Sequence, residues 1–231
     1  MTSTALVGLL SGVKEVQLLR EFYPVKAGHL ASGNISVAAK AHGRACVVLL
    51  SSHFERYLYA INEEAVDWIN RERVRTTSLP RDIRLLHSRE SIEDLARTDW
   101  LKREQKLVDF FASESDLWAP SGVTGSLDHN AFLKWMKAPK PKDVRRYYAQ
   151  WGIDDIFKGV TRNGSTRSEL WLQIASLVDK RNNIAHGDMQ TEALPTEITT
   201  YARLIKKFCT SADSYFAREL KKLCSATSPP W

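Results

Sequence analysis

Three polar side chains stand close together near the end of the chain: Arg181, Asn182 and His186. Histidine has a reference pKa of about 6.5, so an imidazole can take up or release a proton at neutral pH. Arginine stays charged and can hold two oxygens of a phosphate group at once. The amide of asparagine can both donate and accept hydrogen bonds. Together these residue types are suited to chemistry on a phosphate ester.

These residues come at the end of a helix that the apolar spacing predicts from Arg167 to His186. We expect Ser165 or Thr166 to cap the start of this helix, because short hydroxyl side chains satisfy free backbone N–H groups there. Gly187 is the expected residue after its C-cap, since glycine adopts the left-handed conformation that ends many helices. The predicted helix therefore presents its imidazole at its last turn.

Arg181 falls on the line of this helix that otherwise carries apolar side chains. The apolar residues of that line are Leu170, Ile174, Leu177 and Ile184. A guanidinium on a line that packs against the protein needs an anionic partner or an interface. Spacing alone also fits a structural role, in which Arg181 binds carbonyls and His186 caps the helix end, and such roles are the more common ones.

Ser51 and Glu55 form a second polar pair, one helical turn apart, directly after the apolar run 45–50. On their own they are more simply explained as a solvated stripe of a helix. Next to an arginine, however, the carboxylate of Glu55 could orient or neutralise the guanidinium. We therefore regard Ser51 and Glu55 as supporting residues of the candidate site.

Helical periodicity extends along most of the 231 residues, and glycine and proline, at 11 and 8, are too few to punctuate many short strands. The predicted fold class is all-α, in a single domain 1–231. It has an N-terminal helix and loop in 1–33, a core of about 34–224 and a loose tail 225–231. The main predicted helices are Thr4–Phe22, about 34–74, about 80–111, Asp143–Gln150, Arg167–His186 and about 195–223.

The string Leu177–Gly187, LVDKRNNIAHG, resembles the R-x4-6-H signature of the HEPN superfamily, in the RNxIAHG form of RiboL-PSP-HEPN and related MAE-type HEPN-like nucleases. Two other segments are also similar to this family. Val47–Leu58, VVLLSSHFERYL, resembles its early helix with a glutamate, and Pro141–Ile156 resembles the segment that leads into the motif helix. The resemblance covers most of residues 40–220.

The resemblance implies an all-α, HEPN-type helical bundle with additional helices that forms a two-fold homodimer and joins two motifs in one cleft. It implies a metal-independent endoribonuclease that uses no cofactor, in which the ribose 2′-hydroxyl attacks the adjacent phosphodiester. His186 would move the proton, Arg181 would stabilise charge on the phosphoryl oxygens, and Asn182 would position the phosphate or the imidazole. A toxin or phage-defence effector of this kind would have RNA as its substrate and an antitoxin or regulatory protein as a possible partner.

One residue departs from a related group. Toxins of this superfamily that pair with nucleotidyltransferase antitoxins tend to carry tyrosine two residues after the histidine, where this chain has Asp188. That particular pairing is therefore disfavoured, and a carboxylate beside the imidazole could raise its pKa or repel RNA. The alternative function is a non-catalytic dimeric module that binds RNA or a protein through the same motif.

A basic stretch precedes the motif helix, in a chain with a formal charge of +6. Lys140, Lys142, Arg145 and Arg146 could bind an RNA backbone while the interleaved aromatic residues Trp135, Tyr147 and Tyr148 stack on bases. A solvated helix face with aromatic residues in the core explains the same pattern equally well.

The sequence has no basic, apolar leader at its start and no apolar run near the roughly 20 residues that a membrane helix requires. The three widely spaced cysteines are more typical of reduced thiols than of disulfides or a zinc site. We therefore expect a cytoplasmic protein without a metal site and without membrane contact.

Overall fold

The computed structural model describes residues 2–22 and 33–231. Within these ranges the chain forms nine α-helices and no β-strand, which confirms the predicted all-α class. The helices are α1 (Thr4–Glu21), α2 (Gly33–Glu72), α3 (Arg81–His87), α4 (Arg89–Arg97), α5 (Arg103–Trp118), α6 (Pro141–Gln150), α7 (Ile156–Val160), α8 (Gly164–Ala185) and α9 (Pro195–Leu223). The loop predicted between residues 23 and 32 lies outside the described residues.

The segment 80–111, predicted as one helical stretch, is divided among α3, α4 and α5. The hydroxyl of Ser88, at the first break, is buried and donates to the Glu114 carboxylate over 2.6 Å. At the second break, the Asp99 carboxylate accepts from the backbone N–H of Leu101 over 3.0 Å and begins a short 3₁₀ turn. Short polar side chains that bond to the nearby backbone compete with helix continuation, which explains the second break.

The chain folds into two compact units, of which the first comprises Met1–Ile61, Ala138–Val144 and Ile156–Tyr215. Its core contains Phe208, whose ring lies 6.2 Å from that of Phe54 and 5.1 Å from that of Phe157. The Tyr57 hydroxyl donates to the carbonyl of Cys209 over 3.2 Å. These contacts join α2, α7 and α9 around an aromatic centre, which keeps α2 in a fixed place within this unit.

The second unit comprises Asn62–Lys137, Arg145–Asp155 and Phe216–Trp231. Its core contains Phe216, whose ring lies 5.2 Å from that of Tyr148 and 5.8 Å from that of Trp151. The last residue, Trp231, is buried, with its ring 6.1 Å from that of Phe216. The tail predicted to be loose therefore ends on an aromatic residue that packs, because the indole can cover apolar surface there.

The motif helix α8 is capped by a residue that the sequence analysis did not select. The Asn163 side chain accepts from the backbone N–H of Thr166 over 2.9 Å, so α8 begins at Gly164 instead of Arg167. Asparagine is among the best N-caps, and here it precedes both predicted capping residues. The motif therefore lies at the end of a helix of 22 residues that is capped by hydrogen bonds at both ends.

Replacing Asn163 with alanine is expected to lower the free energy of unfolding by about 1 kcal/mol, because the backbone N–H of Thr166 loses its acceptor. Urea unfolding followed by circular dichroism measures this. The matched control is Ser168→Ala, which changes an exposed position inside the same helix and should stay within about 0.5 kcal/mol of the wild type. Equal stability of Asn163→Ala and Ser168→Ala would contradict the capping role.

In the part of the chain that the structure describes, no helix is both long and apolar enough to span a lipid bilayer.

Candidate functional site

His186 is the C-cap residue of α8, and its side chain is exposed. Its backbone N–H donates to the carbonyl of Asn182 over 2.9 Å. Gly187 follows with a φ of +87°, and the N–H groups of Gly187 and Asp188 donate to the carbonyls of Ile184 and Asn183, each over 3.0 Å. This pair of bonds is a Schellman motif, which confirms Gly187 as the residue after the C-cap. The backbone on both sides of the imidazole is thus hydrogen-bonded.

Arg181 lies five residues before His186 and is half-buried, with 29% of its side chain exposed. Its Nη2 lies 3.6 Å from Oε2 of Glu55, whose side chain is 26% exposed. At this distance the two groups form an ion pair and not a hydrogen bond. The apolar line on which Arg181 lies predicts an anionic partner, and α2 supplies one.

The Asn182 side chain is half-buried, and its Oδ1 accepts from Nη1 of Arg181 over 3.2 Å. The guanidinium is therefore held from two directions, by an amide on its own helix and by a carboxylate on α2. Arginine has five N–H donors, so these two contacts leave donors for a third group. An anion that enters the site can therefore bind the guanidinium without displacing Glu55.

Ser51 lies one turn before Glu55 on α2 and is fully buried. Its hydroxyl makes no hydrogen bond within the described residues. Among the described residues, the structure thus brings Glu55, Arg181 and Asn182 together but gives Ser51 no hydrogen bond to them.

Asp188 directs its carboxylate towards its own turn. Oδ1 accepts from the N–H of Gln190 over 2.8 Å, and Oδ2 accepts from the hydroxyl of Thr191 over 2.6 Å. The Thr191 hydroxyl, the Gln190 N–H and the charge of Arg44 all lower the pKa of this carboxyl group. The carboxylate that the sequence analysis placed beside the imidazole is thus engaged by the turn that follows α8.

The four basic candidates belong to different parts of the fold. Lys140 lies in the first unit, where its Nζ is 2.7 Å from Oδ1 of Asp179 on α8. Lys142 also lies in the first unit and is exposed. Arg145 and Arg146 lie in the second unit, where the Arg146 guanidinium is 4.1 Å from the centre of the Trp135 ring. Lys140 therefore contacts the motif helix.

The interleaved aromatic residues include two that cannot stack on bases. Tyr147 and Tyr148 are fully buried, with their ring centres 4.8 Å apart. Burial also raises the pKa of Tyr147 well above its usual range. The interpretation of these two tyrosines as core residues is confirmed, so base stacking is a wrong prediction for them.

Two further residues that the sequence analysis missed hold the start of α9. Lys180 donates to both carboxylate oxygens of Glu197, over 2.8 and 2.9 Å, and to the carbonyl of Glu192 over 2.8 Å. The Glu197 carboxylate also accepts from the N–H of Leu194 over 3.0 Å. The sequence does contain a signal, because a glutamate two residues after a proline at a helix start can accept from the N–H of the residue before that proline, which is one half of a capping box.

For a metal ion the described ranges 2–22 and 33–231 offer no cluster of three or more histidine, cysteine, aspartate or glutamate side chains. The groups that the site does present are a guanidinium, an amide and an imidazole. These groups can bind an anion and transfer a proton.

An all-helical fold whose motif helix ends in Arg-Asn-Asn-Ile-Ala-His-Gly, with a carboxylate paired to the arginine, defines a HEPN-type protein. Residues 27–218 match the RiboL-PSP-HEPN family, and the chain therefore belongs to this family. No curated protein matches the chain. No solved structure matches it either. The family membership associates the chain with a nuclease or another RNA-related function.

Proposed function

We propose that this protein is a metal-independent endoribonuclease that cleaves RNA through attack by a ribose 2′-hydroxyl. The observation that carries this proposal is the end of α8, where a guanidinium that Glu55 and Asn182 hold in place is followed five residues later by an exposed imidazole. The histidine supplies a proton-transfer group, and the arginine supplies a fixed positive charge. Phosphodiester cleavage at neutral pH requires both a proton-transfer group and a positive charge near the phosphate.

The reaction balances without any added reactant. His186 takes the proton of the 2′-hydroxyl as the oxygen attacks phosphorus. The bond from phosphorus to the 5′-oxygen then breaks, and that oxygen receives a proton from a second imidazole. The products are a 2′,3′-cyclic phosphate and a 5′-hydroxyl. Arg181 stabilises the negative charge that builds on the phosphoryl oxygens during attack, and Asn182 orients the guanidinium.

The second imidazole comes from a homodimer. One histidine cannot reach both the attacking and the leaving oxygen at once, so the partner's His186 serves as the acid. Three exposed apolar side chains of α8 and the segment after it support such contact: Leu172 is 64% exposed, Met189 64% and Leu194 52%. Burying these side chains against a second copy would remove apolar surface from water.

Lys140 and Lys142 extend the proposed RNA path. Asp179, which binds Lys140, lies two turns before His186 on α8, a rise of about 10 Å. An ammonium group at that distance can contact a neighbouring phosphate of the same strand. Arg145 and Arg146 are further candidates for backbone contacts, since both are exposed.

A nuclease of this type needs restraint in the cell. We propose that the protein acts as a toxin or phage-defence effector, and that an antitoxin or another regulatory protein keeps it inactive. The family membership and the exposed site support this role.

Purified full-length protein is expected to cut RNA in the presence of excess chelator and to leave the matching DNA intact. Once the cleaved bond has been mapped by sequencing, an oligonucleotide with a single 2′-deoxyribose at that bond should resist cleavage there, because it lacks the nucleophile. Mass spectrometry should find a 2′,3′-cyclic phosphate on the product. Cleavage of the 2′-deoxy substrate, or a loss of activity when chelator is added, would contradict the proposal.

A further inference from the structure

The turn that follows His186 is held from α2 by a buried arginine. Arg44 is 9% exposed, and its Nη1 donates to the carbonyl of Met189 over 3.3 Å. A buried guanidinium is costly unless its charge and N–H groups are satisfied. Its charge also contributes to the lowered pKa of Asp188. Arg44 thus contacts the third residue after the proposed catalytic histidine, and its charge acts on the second.

The backbone links this contact directly to the imidazole. Between His186 and Asp188 there is only Gly187, which has a φ of +87°, and apart from its two chain neighbours no residue lies within 4 Å of the position that a Cβ would take. A glycine in open space resists displacement poorly, because no side chain packs against neighbours. Besides the hydrogen bonds of the Schellman motif, the position of His186 therefore depends on what holds the turn after it.

One helix thus contacts both ends of the motif. Glu55 of α2 pairs with Arg181, and Arg44 of α2 binds the turn at Met189. The two α2 residues are eleven positions apart, which is about three turns and about 16 Å along a straight helix. Since α2 is one continuous helix, it fixes the guanidinium and the turn after the imidazole relative to each other.

We propose that Arg44 is a positioning residue, which holds His186 in its reactive place through the turn Asp188–Met189. The kinetic effect of Arg44 rests on the proposed nuclease function, whereas its effect on the order of the turn does not depend on that function. Misplacement of a reacting group by about 1 Å can lower a rate by about 100-fold. Arg44 does not touch the substrate in this role, so its loss changes kcat and leaves KM nearly unchanged.

The kinetic test compares Arg44→Ala and Arg44→Lys with the wild type. We expect kcat for RNA cleavage to fall by about 10- to 100-fold in Arg44→Ala, with KM changed less than about two-fold. Arg44→Lys keeps a positive charge near Asp188, so its loss should be smaller. The matched control is Arg20→Ala, which removes a half-buried arginine whose Nη1 donates to Thr199 over 3.1 Å, outside the turn. A rise in KM with weaker salt dependence would overturn the inference, because it would make Arg44 a phosphate contact.

A second measurement needs no catalysis. The amides of Gly187 and Asp188 are hydrogen-bonded in the folded chain, so their hydrogen exchange reports on the order of the turn. Exchange at these two amides should be at least about 10-fold faster in Arg44→Ala, and faster to a smaller extent in Arg44→Lys, but unchanged in Arg20→Ala. Unchanged exchange in both Arg44 variants would overturn the inference. If the wild type does not cut RNA but exchange responds as expected, the proposed function fails and the positioning role stands.

Discussion

His186→Ala should lower the rate of RNA cleavage by about 100- to 10,000-fold, because a proton-transfer group of this kind contributes that much to a rate. The side chain is exposed at the C-cap of α8, and its removal leaves the backbone bonds of Asn182 and Gly187 in place. RNA binding should therefore change little. Single-turnover cleavage in excess chelator measures the loss, and fluorescence anisotropy measures binding. Expression of the wild type should also slow growth more than that of the variant.

Asn183→Ala is the matched control, since it removes another exposed side chain from the last turn of α8 and leaves His186 in place. It should cut RNA at a rate close to that of the wild type. If His186→Ala cuts RNA as fast as Asn183→Ala does, the imidazole has no catalytic role. If wild type and both variants bind RNA but leave it intact, the protein is a non-catalytic RNA-binding module.

Arg181→Ala should lower kcat by about 100- to 1,000-fold, the usual effect of removing one group that stabilises charge in a transition state. Because the guanidinium also binds the substrate phosphate, RNA affinity should fall as well, which separates this variant from His186→Ala. Arg181→Lys should recover only part of the rate, since an ammonium lacks the planar fork that holds two oxygens. Cleavage rates and anisotropy on the same RNA test both expectations.

Arg181→Ala also removes the cation that lies 3.6 Å from the half-buried Glu55 carboxylate. The double variant Arg181→Ala with Glu55→Gln separates the two effects, because it removes the carboxylate charge together with its partner. We expect the double variant to regain stability in thermal unfolding but not to regain cleavage. Recovery of cleavage would mean that Arg181 acts only by neutralising Glu55, and its proposed contact with phosphate would be wrong.

Several features of the fold follow from local sequence patterns. Apolar residues at helical spacing predict α1, α2 and α9 to within about two residues at each end that the structure describes. Gly187 marks the end of α8, since it supplies the positive φ that the Schellman motif requires. The position of Arg181 on an apolar line predicts an anionic partner or an interface, and the half-buried Glu55 is such a partner.

Other features depend on contacts between distant residues, which spacing does not reveal. The break at Ser88 involves a hydrogen bond to Glu114, 26 residues away. Arg44 binds a carbonyl 145 residues away. Its sequence signal was an arginine just before an apolar run, which indicates an unusual position but no partner. The N-cap of α8 is ambiguous from sequence because Asn163, Ser165 and Thr166 are close together and their cap strengths differ little.

The continuity of α2 between Arg44 and Glu55 also limits how the sequence can change over evolution. One inserted or deleted residue in this segment would turn Glu55 by about 100° around the helix axis relative to Arg44, since an α-helix has 3.6 residues per turn. Either the guanidinium of Arg181 or the turn at Met189 would then lose its contact. Homologues that retain both contacts should therefore keep an eleven-residue interval here, while length variation accumulates in loops elsewhere.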